Sequence, residues 1–189
     1  MTPTELESRI REVSQLMYDT SVSLPTLRAK VEPYLSPDII FVDPWLRAHG
    51  AGKFKVGLHG FHSVIRFDFD IFQMCARIDE PVDEAARRGR VVIDGVMNLR
   101  QLRVYTYPLR TILTYDVVLT EGEPGFQIVE ITEMWSFGDM IANVPLVGRV
   151  YDDVFRPAAG YFFTGAFWLS TVLFGAAAER ERPSFREGR

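Results

Sequence analysis

One cysteine, Cys75, is all that this chain of 189 residues contains. That excludes an intramolecular disulfide and any multi-cysteine metal site, and it fits a small buried apolar residue in a reducing compartment. Histidine is also scarce, at three residues. Positive charge is not in excess: 21 Lys and Arg against 25 Asp and Glu leave a net charge of -4. Nothing in that balance attracts a phosphate backbone, so no nucleic-acid partner is expected. Residues 1 to 18 carry Glu5, Glu7, Arg9, Arg11 and Glu12 and so lack the apolar centre of a secretory signal, which places the domain on the cytosolic side. The stretch Gly50 to Gly60 does not follow the dinucleotide-binding pattern, and no nucleophile elbow or phosphate-cradling motif occurs. No cofactor and no metal are implied. What is plentiful is aromatic surface, 13% of residues with 14 Phe, enough to fill a core or line a pocket.

The order of elements follows from periodicity. Thr4 and Glu7 have capping-box spacing, and Leu6, Ile10, Val13 and Met17 make one apolar stripe, which predicts a helix over 4–20. A second helix begins after Ser23 with Pro25 in its first turn and runs through Leu27, Val31 and Leu35 until Ser36-Pro37. Residues 38–43 read as a short strand halted by Pro44, and the glycine-rich stretch 48–60 as a loop feeding a short third helix. From Phe67 the spacing switches to alternation, marking a strand. After the charged, turn-like segment 81–90, three long strands follow over 90–106, 109–121 and 126–137, with Pro108 as the first divider. Helices ahead of a run of hairpin-linked strands predict one α+β domain over residues 1–140, with a strongly curved antiparallel sheet wrapped around the N-terminal helices.

The remainder changes character. Residues 141–157 form an amphipathic connector, residues 158–178 contain no charge, and 179–189 are a polar tail. A helix of the uncharged stretch is about as long as the hydrocarbon core of a bilayer is thick, roughly 30 Å. It reads as a membrane anchor, an interfacial helix or a buried soluble helix, its glycines and hydroxyls weakening the first reading.

Three passages carry a resemblance: Pro37 to Pro44 (PDIIFVDP), the Phe-rich passage 61–75, and Glu133-Met134-Trp135-Ser136. Together they resemble the nuclear transport factor 2-like (SnoaL-like, cystatin-like) superfamily and, within it, the SigF-like branch. That resemblance implies a cone with an apolar cavity, for which Trp45, Phe61, Phe69, Met97 and Trp135 are the candidate lining. It spans isomerases, cyclases, dehydratases, binding modules and assembly subunits, so the site must decide the function.

Acid–base chemistry in such a cone needs a base and a facing donor. Asp43 is either such a base or a turn residue capping nearby amides before Pro44. His59 and His62, three apart, share a helix face if the helix has begun, permitting a proton relay or paired ligands. Asp94 and Asp116 are expected to face out, while Tyr115 goes inward with Leu113 as a hydroxyl donor or a satisfied core tyrosine. Glu133 shares a face with Trp135, Ile131 and Val129, where a carboxylate must be paired or protonated. The expectation is a membrane-tethered domain that binds an apolar small molecule or a protein partner, or a second copy through its sheet. Its alternatives are a small isomerase, cyclase or dehydratase and a subunit of a membrane assembly; location is an intracellular membrane or, alternatively, the soluble cytoplasm.

Overall fold

The computed structural model describes residues 1–79, 87–101, 105–142, 144 and 146–180; the side chains of 101, 105, 137, 142 and 170–180 are left undescribed. The expected turn over 81–90 and the polar tail 179–189 fall mostly outside these residues. The chain divides into two compact units, Met1–Met140 and Ile141–Arg189.

In the first unit, α1 (Pro3–Met17) starts one residue earlier than its spacing predicts and ends three residues sooner. The capping box is Thr2 with Glu5, not Thr4 with Glu7: Glu5 N–H donates to Thr2 Oγ1, and Thr2 N–H donates to Glu5 Oε2 at 2.7 Å. Pro3 fits the first helical position, where its missing N–H is not needed. Leu6, Ile10, Val13 and Met17 are buried as one stripe. Helix α2 (Leu24–Lys30) is capped by Ser23, but it ends before Pro33 and gives way to a 3₁₀ turn, Glu32–Tyr34. Leu35 therefore opens β1 (Leu35–Val42) and does not extend the helix.

Two further differences lie around the glycines. Arg47–His49 forms a short strand, β2, antiparallel to β1, and Ala51–Val64 is one continuous helix, α3. Gly52, Gly57 and Gly60 lie on open helix surface, with nothing near where a Cβ would sit. Their propensity cost of about 1 kcal/mol each is outweighed by seating Phe54 and Leu58 on the core.

Strands β3 (Phe67–Ile78), β4 (Arg88–Gln101), β5 (Tyr105–Leu119) and β6 (Phe126–Trp135) form the expected meander. Pro108 is not a divider but lies within β5 opposite Asn98, tolerated because β5 extends there beyond its pairing with β6, which begins at Thr111. The six strands make an open curved sheet in the order β2-β1-β6-β5-β4-β3. It is mixed, not purely antiparallel, since β1 runs parallel to β6. Phe72 bulges out of β3, and Val129 out of β6. Each bulge changes which residues face in. Past Phe72 the inner face passes to Met74 and Ala76, leaving Phe72, Gln73 and Cys75 exposed; Cys75 is thus not the buried residue its type suggested. On the outer face Asp94 pairs with Arg110 and Asp116 with Arg90, as their parity predicts.

The second unit contains α5 (Val147–Val150), a π-helical turn (Tyr151–Phe155) and α6 (Arg156–Arg180), preceded by the short α4 (Phe137–Ala142) at the junction. Almost every described side chain of α6 up to Leu169 is exposed, including Tyr161, Phe162, Phe163, Phe167 and Trp168. Among the described residues, no helix is long and apolar enough to cross a membrane.

Candidate functional site

The inner face of β6 decides where polar chemistry can sit. Phe126 and Ile128 point inward; the bulge at Val129 then shifts the parity, and Ile131, Glu133 and Trp135 follow on the same inner face. Val129 is only half-buried, so it does not belong to that face. Glu133 is 9% exposed, a carboxylate on an otherwise apolar surface.

Its neighbours come from three elements. Tyr18, the residue that caps the C-terminus of α1, donates its hydroxyl to Glu133 Oε1. On β5, Leu113 lies opposite Glu133 and Tyr115 opposite Ile131, so Tyr115 is the diagonal neighbour of the carboxylate. Strand β1 runs parallel beside β6 with Val42 against Thr132, which brings Asp43, the next residue, alongside Glu133. Ser14, one turn before Tyr18 on α1, is fully buried, as is Tyr115. Neither Ser14 Oγ nor Tyr115 Oη has a hydrogen bond of acceptable geometry among the described residues.

Burial dominates the electrostatics. It pushes the Glu133 carboxyl up from its usual range to about 7, and the Asp43 charge adds to that rise; hydrogen bonds from Tyr18 and Trp135 oppose it without cancelling it. A hydrogen bond to a charged group is worth about 1.5–3 kcal/mol, less than stripping water from a carboxylate costs. Burial likewise holds the Tyr115 and Tyr18 hydroxyls protonated well beyond the ordinary phenol range, for Tyr18 with the Glu133 charge as the second cause. The result is a carboxyl poised to exchange a proton near neutrality beside two hydroxyls that remain donors.

Asp43 serves a second purpose. Its Oδ1 accepts the N–H groups of Trp45 at 2.6 Å and Leu46 at 2.8 Å, closing the turn between β1 and β2. Trp45 is thereby held against Trp135, ring centroids 5.8 Å apart and planes tilted by 44°.

Of the predicted candidates, Asp43, Tyr115 and Glu133 come together, and the two histidines do not join them. His59 Nε2 donates to Glu32 Oε1 at 3.1 Å in a pair that Lys55 Nζ reinforces at 2.8 Å. His62 Nε2 donates 2.7 Å to Met17 O, so it braces the end of α1. Their Nε2 atoms thus turn to separate partners, and among the described residues no cluster of His, Cys, Asp or Glu suits a metal ion. Of the predicted lining, Phe69 and Met97 are core residues, Phe61 packs on Phe67 at the margin, Trp135 hydrogen-bonds Glu133, and the exposed Trp45 packs on Trp135. Tyr18 and Ser14 were not anticipated. Their signal was Ile10, Ser14 and Tyr18 at four-residue spacing, a second line of the buried face of α1 with two hydroxyls in it. Two surface clefts, of about 380 and 440 Å³, lie by the β5–β6 turn and share no lining residue with this cluster.

An open curved sheet holding helices on its inner face is the nuclear transport factor 2-like, or cystatin-like, fold. The solved structures that share it are distant in sequence. An uncharacterized cystatin-like protein from Caulobacter vibrioides aligns at a TM-score of 0.54 and 15% identity over 77% of this chain and 97% of that one. Nuclear transport factor 2 from Cryptosporidium parvum aligns at 0.52 and 12% identity over 71% and 94%. A protein assigned as a scytalone dehydratase from Novosphingobium aromaticivorans aligns at 0.50 and 16% identity over 70% and 82%. No protein-family model and no curated protein matches the chain. At such identities the likeness establishes the fold alone.

Proposed function

We propose that the first unit is a general acid–base catalyst acting on an apolar substrate, a proton-transfer reaction of the isomerase or dehydratase type. The observation that carries this reading is Glu133: a buried carboxyl on an apolar face, raised to about 7 and hydrogen-bonded by Tyr18. A group tuned to that range is half ionised near neutrality and so takes and returns a proton at small cost. In this reading Glu133 accepts the substrate proton, the Tyr18 hydroxyl steadies the charge that develops, and Asp43 keeps the Glu133 proton affinity high. The apolar surroundings strengthen each of these interactions by excluding water. The dehydratase-like assignment of one fold neighbour is in keeping with it.

The test is proton exchange in heavy water. A panel of apolar ketones and β-hydroxyketones is incubated with the protein, and incorporation of deuterium at the carbon next to the carbonyl is followed by NMR. Wild type exchanges at least one member, Glu133→Gln loses about 10²–10⁴ of that rate, and Tyr18→Phe loses less. Exchange that survives Glu133→Gln unchanged sinks the assignment.

A second reading, a tethered binding module, is favoured by α6. Along its described side chains, residues 156–169, α6 is mostly apolar and almost wholly exposed, the surface of a segment that suits an apolar surrounding. The uncharged run 158–178 suits the surface of a bilayer or the apolar face of an assembly partner, and a hydrophobic C-terminus is what the SigF-like resemblance implies. Tethering and catalysis are compatible, since an apolar substrate partitions into the same membrane.

A further inference from the structure

We infer that Ser14, Tyr115 and Tyr18 act in series as one chain of hydroxyl donors ending on Glu133, which makes Tyr115 and Ser14 positioning residues for that carboxylate. This rests on reading Glu133 as the acid–base group. The last link is in place, since the Tyr18 hydroxyl donates to Glu133 Oε1. That bond uses the single proton of the phenol and leaves the lone pairs of its oxygen able to accept. Tyr115 is fully buried, and the Ser14 and Tyr18 hydroxyls lie close enough to it for both to oppose the rise in proton affinity that burial causes.

Two hydroxyls in this group are short of a partner. Ser14 Oγ and Tyr115 Oη are buried, and neither has a hydrogen bond of good alignment among the described residues. A buried hydroxyl left alone is costly, and native interiors almost always satisfy such groups. A small turn of these side chains toward one another satisfies both: Tyr115 donates to Tyr18 Oη, and Ser14 donates to Tyr115 Oη. The fold sets this order. Ser14 and Tyr18 stand one turn apart on the buried face of α1, and Tyr115 lies opposite Ile131, diagonal to Glu133. A hydroxyl that accepts a hydrogen bond becomes a better donor, so the far members steady the ionised carboxylate without bonding to it. The other groups that act on Glu133 stand outside the chain: Asp43 after β1, whose charge raises its proton affinity, and Trp135 on β6, whose hydrogen bond lowers it.

The experiment is a pH titration of the full chain without substrate, following the Glu133 carboxyl carbon by NMR in wild type, Ser14→Ala, Tyr115→Phe, Tyr18→Phe and the double variant of both tyrosines. Tyr115→Phe is expected to hold the Glu133 proton about two- to fourfold more tightly than wild type, and Ser14→Ala less than about twofold more tightly. In the double variant Tyr115→Phe adds nothing to Tyr18→Phe, because the link that carries its effect is gone. An unmoved midpoint in Tyr115→Phe, or the same shift with and without the Tyr18 hydroxyl, overturns the chain. The Tyr115 Cζ resonance gives a check that needs no change at Tyr115: it follows the Glu133 titration in wild type and responds much less in Tyr18→Phe, whereas an equal response in both shows the field of the charge alone and also overturns the chain. Deuterium exchange with the carbonyl panel separates the two proposals. Graded midpoints with no exchange discard the catalytic reading and leave the chain standing, while exchange that depends on Glu133 with an unmoved midpoint in Tyr115→Phe does the reverse.

Discussion

Glu133 links stability to pH in an unusual direction. Its carboxyl lies near 4.5 in the unfolded chain and near 7 in the folded one, so the folded state holds its proton more tightly. The stabilisation is complete below pH 4.5 and is lost as pH rises through 7, amounting to something on the order of 3 kcal/mol. Chemical denaturation across that window is expected to show declining stability in wild type and a flatter profile in Glu133→Gln. Tyr18→Phe removes the one donor that α1 supplies to this carboxylate. It is expected to raise the Glu133 titration midpoint further, followed by carboxyl NMR, and to cost about 1–3 kcal/mol in urea unfolding. At this scale the sequence was partly legible. Glu133 stood out because a carboxylate broke an apolar alternation, and Asp43 because it precedes a proline. Tyr18 did not, since a tyrosine at the end of an amphipathic helix resembles any other core aromatic until the strand it faces is known.

Among elements, glycines separate what local propensity dictates from what packing dictates. Gly95 sits inside β4 opposite the β3 bulge, where an added Cβ would lie 2.4 Å from Asp70 O and 2.6 Å from the Phe69 ring. Backbone cannot retreat as a side chain can, so Gly95→Ala is expected to destabilise by about 1–3 kcal/mol or more. Gly57 in α3 meets nothing, and Gly57→Ala is expected to stabilise by about 0.5–1 kcal/mol. Thermal unfolding of the two variants checks both signs. The contrast also explains where periodicity misled: α3 hid behind glycines that merely weaken a helix, and β2 behind a run of three residues too short to alternate. Long strands were readable because their inner residues repeat every second position over ten residues or more. The parallel pairing of β1 with β6 was not readable, because nothing in either strand encodes which neighbour it takes.

For the whole molecule, the question is what surrounds α6. Its exposed aromatic rings are too many to leave in water without consequence. If the bilayer is the surrounding, the full chain stays with the membrane fraction through alkaline carbonate, and replacing Phe162, Phe163 and Trp168 with serine releases it. Release of wild type by carbonate would instead favour a protein partner. The membrane expectation came from length and absence of charge, which specify an apolar environment without specifying its source.

The bulge at Val129 gives the strand a reading frame. Were β6 regular, Phe126 and Ile128 would be followed inward by Glu130, Thr132 and Met134, and the carboxylate of Glu133 would face solvent. One inserted residue exchanges that triplet for Ile131, Glu133 and Trp135. The bulge is therefore a frameshift in side-chain space: straightening the strand with Val129 still in it would put Glu130, Thr132 and Met134 inside, whereas deleting Val129 joins Ile128 to Glu130 in the register they already keep and leaves Ile131, Glu133 and Trp135 where they are.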